Sequence, residues 1–178
     1  MNEEAILEEE AIATERVEEA RALGTAILSK PIGALATVKQ PISLSPDTTV
    51  RRAIAAMNAS NVGCVLVERH GKLAGILTER DVLTKVAISG IDLDQTQVSS
   101  IMTSAPETLS LDDRIAYALN KMVVGGFRHL PLVDAAQRPV GVISMRNVVE
   151  YIVDLFPNEV LNLPPEPRLS VSHGREGA

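Results

Sequence analysis

Two seven-residue stretches of this chain repeat the same order of side-chain types, and those types could hold a nucleotide. They span residues 75–81 and 141–147 and read glycine, two aliphatic residues, a hydroxyl residue, a variable residue, arginine, and a short carboxylate or amide. A strand that leads into a helix through a hydroxyl cap has this pattern. A nucleotide site would use it too, because it offers a hydroxyl, a cation and an acceptor for ribose hydroxyls. Both interpretations stay open at this point.

The polar ends of the two stretches differ in charge. The carboxylate of Asp81 can accept hydrogen bonds from both hydroxyls of a ribose, and it would repel a 2′-phosphate. Asn147 accepts and donates without a charge, so a site built on it should bind differently. Thr78 and Ser144 stand at predicted helix starts, where free N–H groups and the helix dipole favour phosphate. Three arginines could supply the countercharge to a phosphate: Arg80, Arg128 and Arg146.

Each of these residues also has a purely structural interpretation. The Thr78–Asp81 and Ser144–Asn147 pairs could be helix caps and nothing more. His129 could be a packed, hydrogen-bonded residue of a strand. The arginines could lie on the surfaces of the final helices, and Phe127 could be a core residue.

Catalytic and metal chemistry find little support in the sequence. The single cysteine, Cys64, excludes an internal disulfide and a cysteine-based metal cluster, and three scattered histidines give no zinc site. Cys64 and His129 occupy equivalent positions in the two halves of the chain and could approach each other. No third group indicates an activated nucleophile, so Cys64 is expected to be an inert core thiol. We therefore predict no catalytic residue, no metal, no catalytic cofactor and no enzymatic activity.

The two stretches belong to a longer internal repeat. Val50 aligns with Ile115 and, at the same spacing, Met57 aligns with Met122. One extra residue in the second copy, near position 137, brings the two motifs into line. An internal repeat of this length indicates two copies of one structural unit. Neither copy is long enough for a robust core alone, so the two should pack together.

Each copy predicts the element order strand, helix, strand, strand, helix. Short extended pieces at 42–44 and 107–109 precede helices that we expect Ser45 and Ser110 to cap. The later strands are rich in apolar residues, which is typical of strands covered on both faces. These strands are predicted at 64–67, 73–77, 130–133 and 140–143.

Four regions follow from this pattern: an acidic N-terminal helix at 1–30, the first repeat at 31–95, the second at 96–157, and a proline-rich, disordered tail at 158–178. The helix itself should cover residues 2–28, with glutamates in its first turns. It either stays solvated or docks on a partner chain or on the core. Its apolar stripe would consist of Ile6, Ala13, Val17, Ala20 and Leu23.

Composition excludes several classes of partner. The chain of 178 residues has a net charge of −6, no tryptophan, two phenylalanines and two tyrosines. Nucleic-acid binding would favour a basic surface and stacking aromatics, so we expect none. No apolar run approaches the roughly 18 residues of a membrane span, and the acidic start lacks a signal pattern. We expect no membrane contact and a cytoplasmic location.

The repeat, its element order and its motifs resemble a tandem pair of CBS domains, also called a Bateman module. The resemblance covers about residues 31–156. Besides the two seven-residue stretches, it depends on 45–50 with its echo at 110–115, on 126–134, and on the segment 98–103. It implies an α/β (α+β) fold in which two β-α-β-β-α repeats pack about a pseudo-two-fold axis. It also implies clefts for adenosine-containing ligands (AMP, ADP, ATP or S-adenosylmethionine) and, commonly, a disc-shaped dimer.

By this resemblance each cleft draws on both repeats. The cleft with the second motif would use Thr37, Ile42, Val62, Gly63, Cys64, Arg128, His129, Val142, Ser144, Arg146 and Asn147. The cleft with the first motif would use Ile76, Thr78, Arg80, Asp81, Thr103, Glu107 and Phe127, together with Arg128 and His129. Glu107, where the first repeat has Ile42, would bring a negative charge close to a bound polyphosphate.

Two functional hypotheses result. The first is a regulatory module that binds an adenine nucleotide, forms a homodimer and relays occupancy to an unknown regulated protein. The second is a constitutive structural adaptor whose motifs are only helix caps and whose helices mediate oligomerisation. Nucleotide binding distinguishes the two.

Overall fold

A computed structural model of the protein describes residues 3–35, 38, 40–87 and 89–157. The tail predicted at 158–178 lies outside these residues. The helices are α1 (Glu3–Leu28), α2 (Val50–Ser60), α3 (Glu79–Asp81, continued by a π-helical turn at Val82–Val86), α4 (Ile115–Gly125) and α5 (Met145–Leu155). The strands are β1 (Ser43–Leu44), β2 (Cys64–Arg69), β3 (Lys72–Thr78), β4 (Thr103–Ser104), β5 (His129–Val133) and β6 (Pro139–Ser144). The predicted α/β class is confirmed, and both repeats contain the predicted succession of helix, two strands and helix.

The first unit carries the larger sheet. Its strands lie in the order β1-β2-β3-β4, with β1 parallel to β2 and the other neighbours antiparallel. In the second unit β5 and β6 form an antiparallel pair. The extended piece predicted at 107–109 makes a single parallel bridge there, between Leu109 and Leu132, and does not form a strand of its own.

The predicted caps of the second elements are wrong. Helix α2 begins only at Val50, and its N-cap is Thr49, whose hydroxyl accepts from the Arg52 N–H. Ser45 instead closes a turn through a hydrogen bond from the Thr48 N–H to its carbonyl. In the second unit Ser110 donates through its backbone N–H and hydroxyl to Asp113, at 2.7 and 3.0 Å.

Neighbouring chain segments explain these late helix starts. The backbone around residues 46–50 bonds to the segment 96–99, and the backbone at 111–115 bonds to the segment 30–33. Those carbonyls and N–H groups are therefore occupied before a helical turn can use them. The helices begin where this outside pairing ends, at Val50 and Ile115.

Each unit completes its core with a segment that precedes the other unit. The short 3-10 turn at Ile32–Ala34 contributes Ile32 and, just after it, Leu35 to the core of the second unit. The turn at Val98–Ser100 contributes Val98 and Ile101 to the core of the first. These side chains are at most 8% exposed. The two units are interlocked by exchanged segments, and not merely packed face to face.

A third apolar cluster joins the two sheets. Cys64, Leu66 and Ile76 of the first unit pack with Val142 of β6. The helices end where a residue can adopt the left-handed conformation: Asn61 after α2 has φ 50°, and Gly126 after α4 has φ 68°. Glycine and asparagine are the residue types that adopt this conformation most readily.

Helix α1 exposes three residues of its predicted stripe: Ala13, Val17 and Leu23. Val17 is 66% exposed and Leu23 45% exposed. At its base, the Lys30 ammonium lies 5.8 Å from the centre of the Tyr151 ring of α5. Within the described part of the chain, no helix combines the length and the apolar character that a membrane crossing requires.

Candidate functional site

A cavity of about 640 Å³ lies between the two units, at the junction of β3 and α3. The first unit supplies the strand end and the helix start, and the chain entering the second unit supplies an opposite wall. The loop from α4 into β5 closes it. The lining residues are Gly63, Ile76, Thr78, Glu79, Arg80, Asp81, Leu83, Thr103, Ala105, Pro106, Glu107, Gly125, Gly126, Phe127, Arg128, His129 and Leu130. All seven residues assigned to the first-motif cleft, with Arg128 and His129, are among them.

Thr78 and Asp81 form a reciprocal capping box at the floor of this cavity. The Asp81 Oδ2 atom accepts from the Thr78 N–H at 3.0 Å and from the Thr78 hydroxyl at 2.6 Å. The Asp81 N–H in turn donates to the Thr78 hydroxyl at 3.3 Å. The structural interpretation of the motif is therefore correct here, and it holds the carboxylate in one orientation toward the cavity.

Asp81 remains a carboxylate although it is buried. Burial by itself would raise the pKa of Asp81, but hydrogen bonds from Lys85 and Thr78 outweigh it and hold that pKa below its usual value. The Lys85 ammonium lies 2.7 Å from Oδ1 of Asp81 and 2.7 Å from the carbonyl oxygen of Ile101. Lys85 was not among the predicted site residues, although its i, i+4 spacing from Asp81 was visible in the sequence.

Two arginines at the cavity differ in availability. The Arg80 guanidinium donates to the carbonyl of Gly126 at 2.5 Å and so links α3 to the end of α4. The Arg128 side chain is exposed and makes no hydrogen bond or ion pair with any residue that the structure describes. It is therefore the lining cation with its donors available for an anionic ligand.

The acidic residue expected to disfavour a polyphosphate has a counter-ion. Glu107 lines the cavity as predicted, and its carboxylate lies 2.5 Å from the ammonium of Lys121 on α4. The pair reduces the negative charge that Glu107 presents to a ligand.

His129 and Gly63 meet where the two units approach each other. A Cβ atom on Gly63 would lie 3.0 Å from the imidazole of His129 and 3.4 Å from the Glu79 carboxylate, so the absence of a side chain lets the ring fit. Burial lowers the pKa of His129, against the opposing field of Glu79, and favours the neutral imidazole. Burial raises the pKa of the Cys64 thiol to about 12, which agrees with an inert core residue.

The second motif forms the same capping box with an amide. Asn147 Oδ1 accepts from the Ser144 N–H at 2.8 Å and from the Ser144 hydroxyl at 2.7 Å. Its neighbour Arg146 is 80% exposed and pairs with Glu150, 2.7 Å away on the next turn of α5.

The other residues predicted for the second-motif cleft lie around the junction of the two units. Gly63, Arg128 and His129 line the first-motif cavity. Cys64 and Val142 pack in the cluster between the sheets, and Ile42 and Val62 pack against the core of the first unit. Thr37 lies outside the described residues. The structure thus places the first predicted set around one cavity, and neighbouring contacts connect members of the second set: Cys64 packs with Val142, Gly63 lies against His129, and His129 pairs with Ser144. In the described part of the chain, no group of three potential ligands could hold a metal ion.

Comparison with known proteins identifies the repeat. The model of the CBS domain matches residues 32–88 and 98–154. The CBS domain-containing protein CBSCBSPB3 of Arabidopsis thaliana is 36% identical over 118 residues, which are 66% of this chain and 20% of that protein. The chain therefore spans about a fifth of the length of this curated relative.

Solved structures agree with the fold. A CBS-domain containing protein of Agrobacterium tumefaciens is 28% identical, with a TM-score of 0.62, and the match covers 68% of this chain and 98% of that one. The structure of CBSX2 in complex with AMP is 22% identical, with a TM-score of 0.61, and the match covers 71% and 98%. Two CBS domains in tandem account for the repeat, and the chain belongs to the CBS-domain family.

Proposed function

We propose that the cavity at the first motif binds an adenosine-containing nucleotide and that the chain is a ligand-sensing regulatory module. The volume, about 640 Å³, lies within the range usual for small-molecule sites. Its lining combines apolar surface with a few convergent polar groups. We assign no reaction to it.

The observation that carries this proposal is the state of Asp81. A carboxylate that is only 8% exposed lines the cavity, and its lowered pKa keeps it ionised there. Its position at the cavity floor suits an acceptor for the neighbouring hydroxyls of a ribose. The capping box with Thr78 restricts the carboxylate to the orientation that a ribose would meet.

The remaining parts of a nucleotide have suitable counterparts in the lining. Ile76 and Phe127 provide apolar surface for a base, and the exposed Arg128 provides a forked donor for phosphate. The complex of CBSX2 with AMP supports this choice of ligand class, because that protein shares the fold.

The second-motif junction is proposed to bind the same ligand weakly or not at all. Asn147 replaces the carboxylate, and the repeat alignment places Gly63 where the other cleft has Arg128. Without these two charges a nucleotide would lose its strongest contacts to protein.

A relay to a partner is the second half of the proposal. The ligand would favour one arrangement of the two interlocked units, and a regulated protein would respond to that arrangement. The exposed apolar side chains Val123 and Val124 of α4 and Val149 and Ile152 of α5 support a homodimer as the functional form.

One observation favours a different function, a constitutive adaptor. Both motifs make complete capping boxes, so helix capping alone would explain why Thr78, Asp81, Ser144 and Asn147 are present. In that case the exposed helix faces would be the functional surface.

Isothermal titration of the dialysed protein with AMP, ADP, ATP and S-adenosylmethionine tests the two. We expect saturable binding of at least one ligand at one strong site. Asp81→Ala should abolish it, and Asn147→Ala, which removes the equivalent cap in the second unit, is the matched control that should retain it.

Three results would contradict the proposal. No binding of any of these ligands to protein freed of bound nucleotide would favour the adaptor. Equal loss in the two variants would show that the caps act through stability, and retention of binding in Asp81→Ala would remove Asp81 from the site.

A further inference from the structure

We infer that Lys85 is a displaceable counter-ion of Asp81, and that a ligand with two neighbouring hydroxyls must expel the Lys85 ammonium to bind fully. This inference rests on the proposed nucleotide site. It assigns to Lys85 a role in setting the affinity for the sugar, although the Lys85 side chain is not among the residues that line the cavity.

The Asp81 carboxylate has a limited number of positions that can accept a hydrogen bond. A carboxylate offers about four lone-pair positions, two on each oxygen. Oδ2 accepts from the Thr78 N–H and the Thr78 hydroxyl, which fills both of its positions. Oδ1 accepts from the Lys85 ammonium at 2.7 Å, which leaves one position. A single ligand hydroxyl can bind there, but a pair of hydroxyls needs one position more.

Of the donors to Asp81, the Lys85 ammonium is the one that a ligand can displace. The Thr78 N–H is fixed by the backbone at the end of β3, and the Thr78 hydroxyl also accepts from the Asp81 N–H in the capping box. The Lys85 side chain is 42% exposed, whereas that of Asp81 is 11% exposed. The ammonium can therefore move into water and be solvated again, while the carboxylate must find new donors. Ligand hydroxyls are those donors.

Lys85 has a second hydrogen-bond acceptor besides Asp81. Its ammonium also donates to the carbonyl of Ile101, at 2.7 Å. Ile101 belongs to the exchanged segment that enters the core of the first unit, and Thr103 and Ala105, just beyond it, line the cavity. When Lys85 leaves Asp81, the direct link between the sugar-binding carboxylate and this wall of the cavity is lost. A sugar with two hydroxyls would break that link, and one with a single hydroxyl would leave it intact.

The second unit has a different side chain at the position equivalent to Lys85. Tyr151 occupies the position on α5 that corresponds to Lys85, four residues after Asn147. Its hydroxyl is buried and has no hydrogen-bond partner among the described residues. Among the described residues, an ammonium at this position is therefore particular to the first motif.

The test compares adenosine with 2′-deoxyadenosine, neither of which carries a phosphate that could itself attract Lys85. Affinities are measured by titration calorimetry on the full chain, for wild type and Lys85→Met. We expect Lys85→Met to bind adenosine about three- to fivefold more tightly, the gain from removing a partly exposed competing ion pair. Binding of 2′-deoxyadenosine should stay unchanged, because its single hydroxyl at the sugar edge needs no displacement.

Two controls separate this effect from general changes in charge or folding. Lys85→Arg keeps a competing cation and should bind adenosine as the wild type does. Lys72→Met removes the same charge at an exposed position of β3 outside the cavity and should change neither affinity. Thermal unfolding of each variant reports whether the fold is retained.

Several outcomes would overturn the inference while leaving the nucleotide site intact. They are an unchanged adenosine affinity in Lys85→Met, a gain that is equal for both nucleosides, and a loss for both, which would make Lys85 a support of Asp81 and not its competitor. If Lys85→Met does not fold, Lys85→Gln takes its place with the same expectation. If neither nucleoside binds to any of the proteins, and AMP, ADP, ATP and S-adenosylmethionine do not bind either, the proposed function itself fails.

Discussion

The two copies of the motif have nearly the same hydrogen-bond geometry but differ in the charge of their side chains. Thr78 with Asp81 and Ser144 with Asn147 form the same capping box, with matching hydrogen bonds that differ by at most 0.2 Å. The side chains at equivalent positions differ. The first copy has a carboxylate and Lys85, and the second has an amide and Tyr151. The cap is therefore common to both copies of the fold, and the charged groups around the cap are what could make the two copies differ in function.

The largest effect should come from exchanging the two polar ends. Asp81→Asn keeps the shape and the cap but removes the charge that a ribose would use. We expect a ten- to hundredfold weaker affinity for the nucleotide, since hydrogen bonds to charged groups contribute about 1.5–3 kcal/mol. Titration calorimetry measures this. The reverse change, Asn147→Asp, is the control, and an equal loss in both would mean that the two junctions are functionally alike.

Next come the caps themselves, where the two copies should behave alike. Thr78→Ala and Ser144→Ala each remove a hydroxyl that accepts from a backbone N–H and donates to the motif carboxylate or amide. We expect each to lower the free energy of unfolding by about 1 kcal/mol. Urea unfolding measures both. A much larger cost at Thr78 would indicate that the charge of Asp81 strengthens its cap.

The stability that the motif residue contributes should depend on pH in the first copy and not in the second. Because the folded pKa of Asp81 is lowered, its ionised form stabilises the fold fully above the unfolded value of about 3.9, and this contribution is lost as pH falls through the folded pKa. The stability difference between wild type and Asp81→Asn should therefore shrink on going from pH 6 to below about 3. Urea unfolding across this range measures the difference.

The corresponding change in the second unit serves as the control for pH. Asn147 does not titrate, so the cost of Asn147→Ala should be constant over the same range. A difference for Asp81→Asn that does not depend on pH would mean that the carboxylate has no special stabilisation in the folded protein.

The smallest effects are expected at the arginines of the two motifs. Arg80 bonds to the Gly126 carbonyl and Arg146 pairs with Glu150, and both side chains are exposed. Replacing either with alanine should change the free energy of unfolding by no more than about 0.5 kcal/mol. Thermal unfolding measures this change. A markedly larger loss of stability in Arg80→Ala would mean that the Arg80 bond between the two units stabilises the fold more than the Arg146 pair does.

Local patterns predicted the parts of the molecule that depend on neighbouring residues. Apolar runs located β2, β3, β5 and β6, and Asn61 and Gly126 marked the helix ends, because strand burial and left-handed turns leave direct traces in the sequence. The set of residues around Asp81 could be assembled only through the resemblance to a known family. Nothing in spacing alone brings Thr103 and Phe127 to the same cavity.

The failures share one physical origin, which is pairing between segments distant in the chain. Ser45 and Ser110 have the right types for caps, but the backbone that would start each helix is occupied by a segment about fifty to eighty residues away. The role of Lys85 was missed for a similar reason. Its spacing from Asp81 was visible, but its bond to the Ile101 carbonyl is a tertiary contact.

The exchange of Ile32 and Val98 between the cores has a consequence for how the chain unfolds. Neither core is complete without a residue that the chain delivers from the other side, so loss of one core removes part of the other. Both units should therefore melt in a single cooperative transition, and folding should be slowed by the long chain closures that the exchange requires. A cut between the repeats would leave two fragments, and the core of each would lack the segment carried by the other. Mixing the two fragments should restore the complete cores and the folded structure.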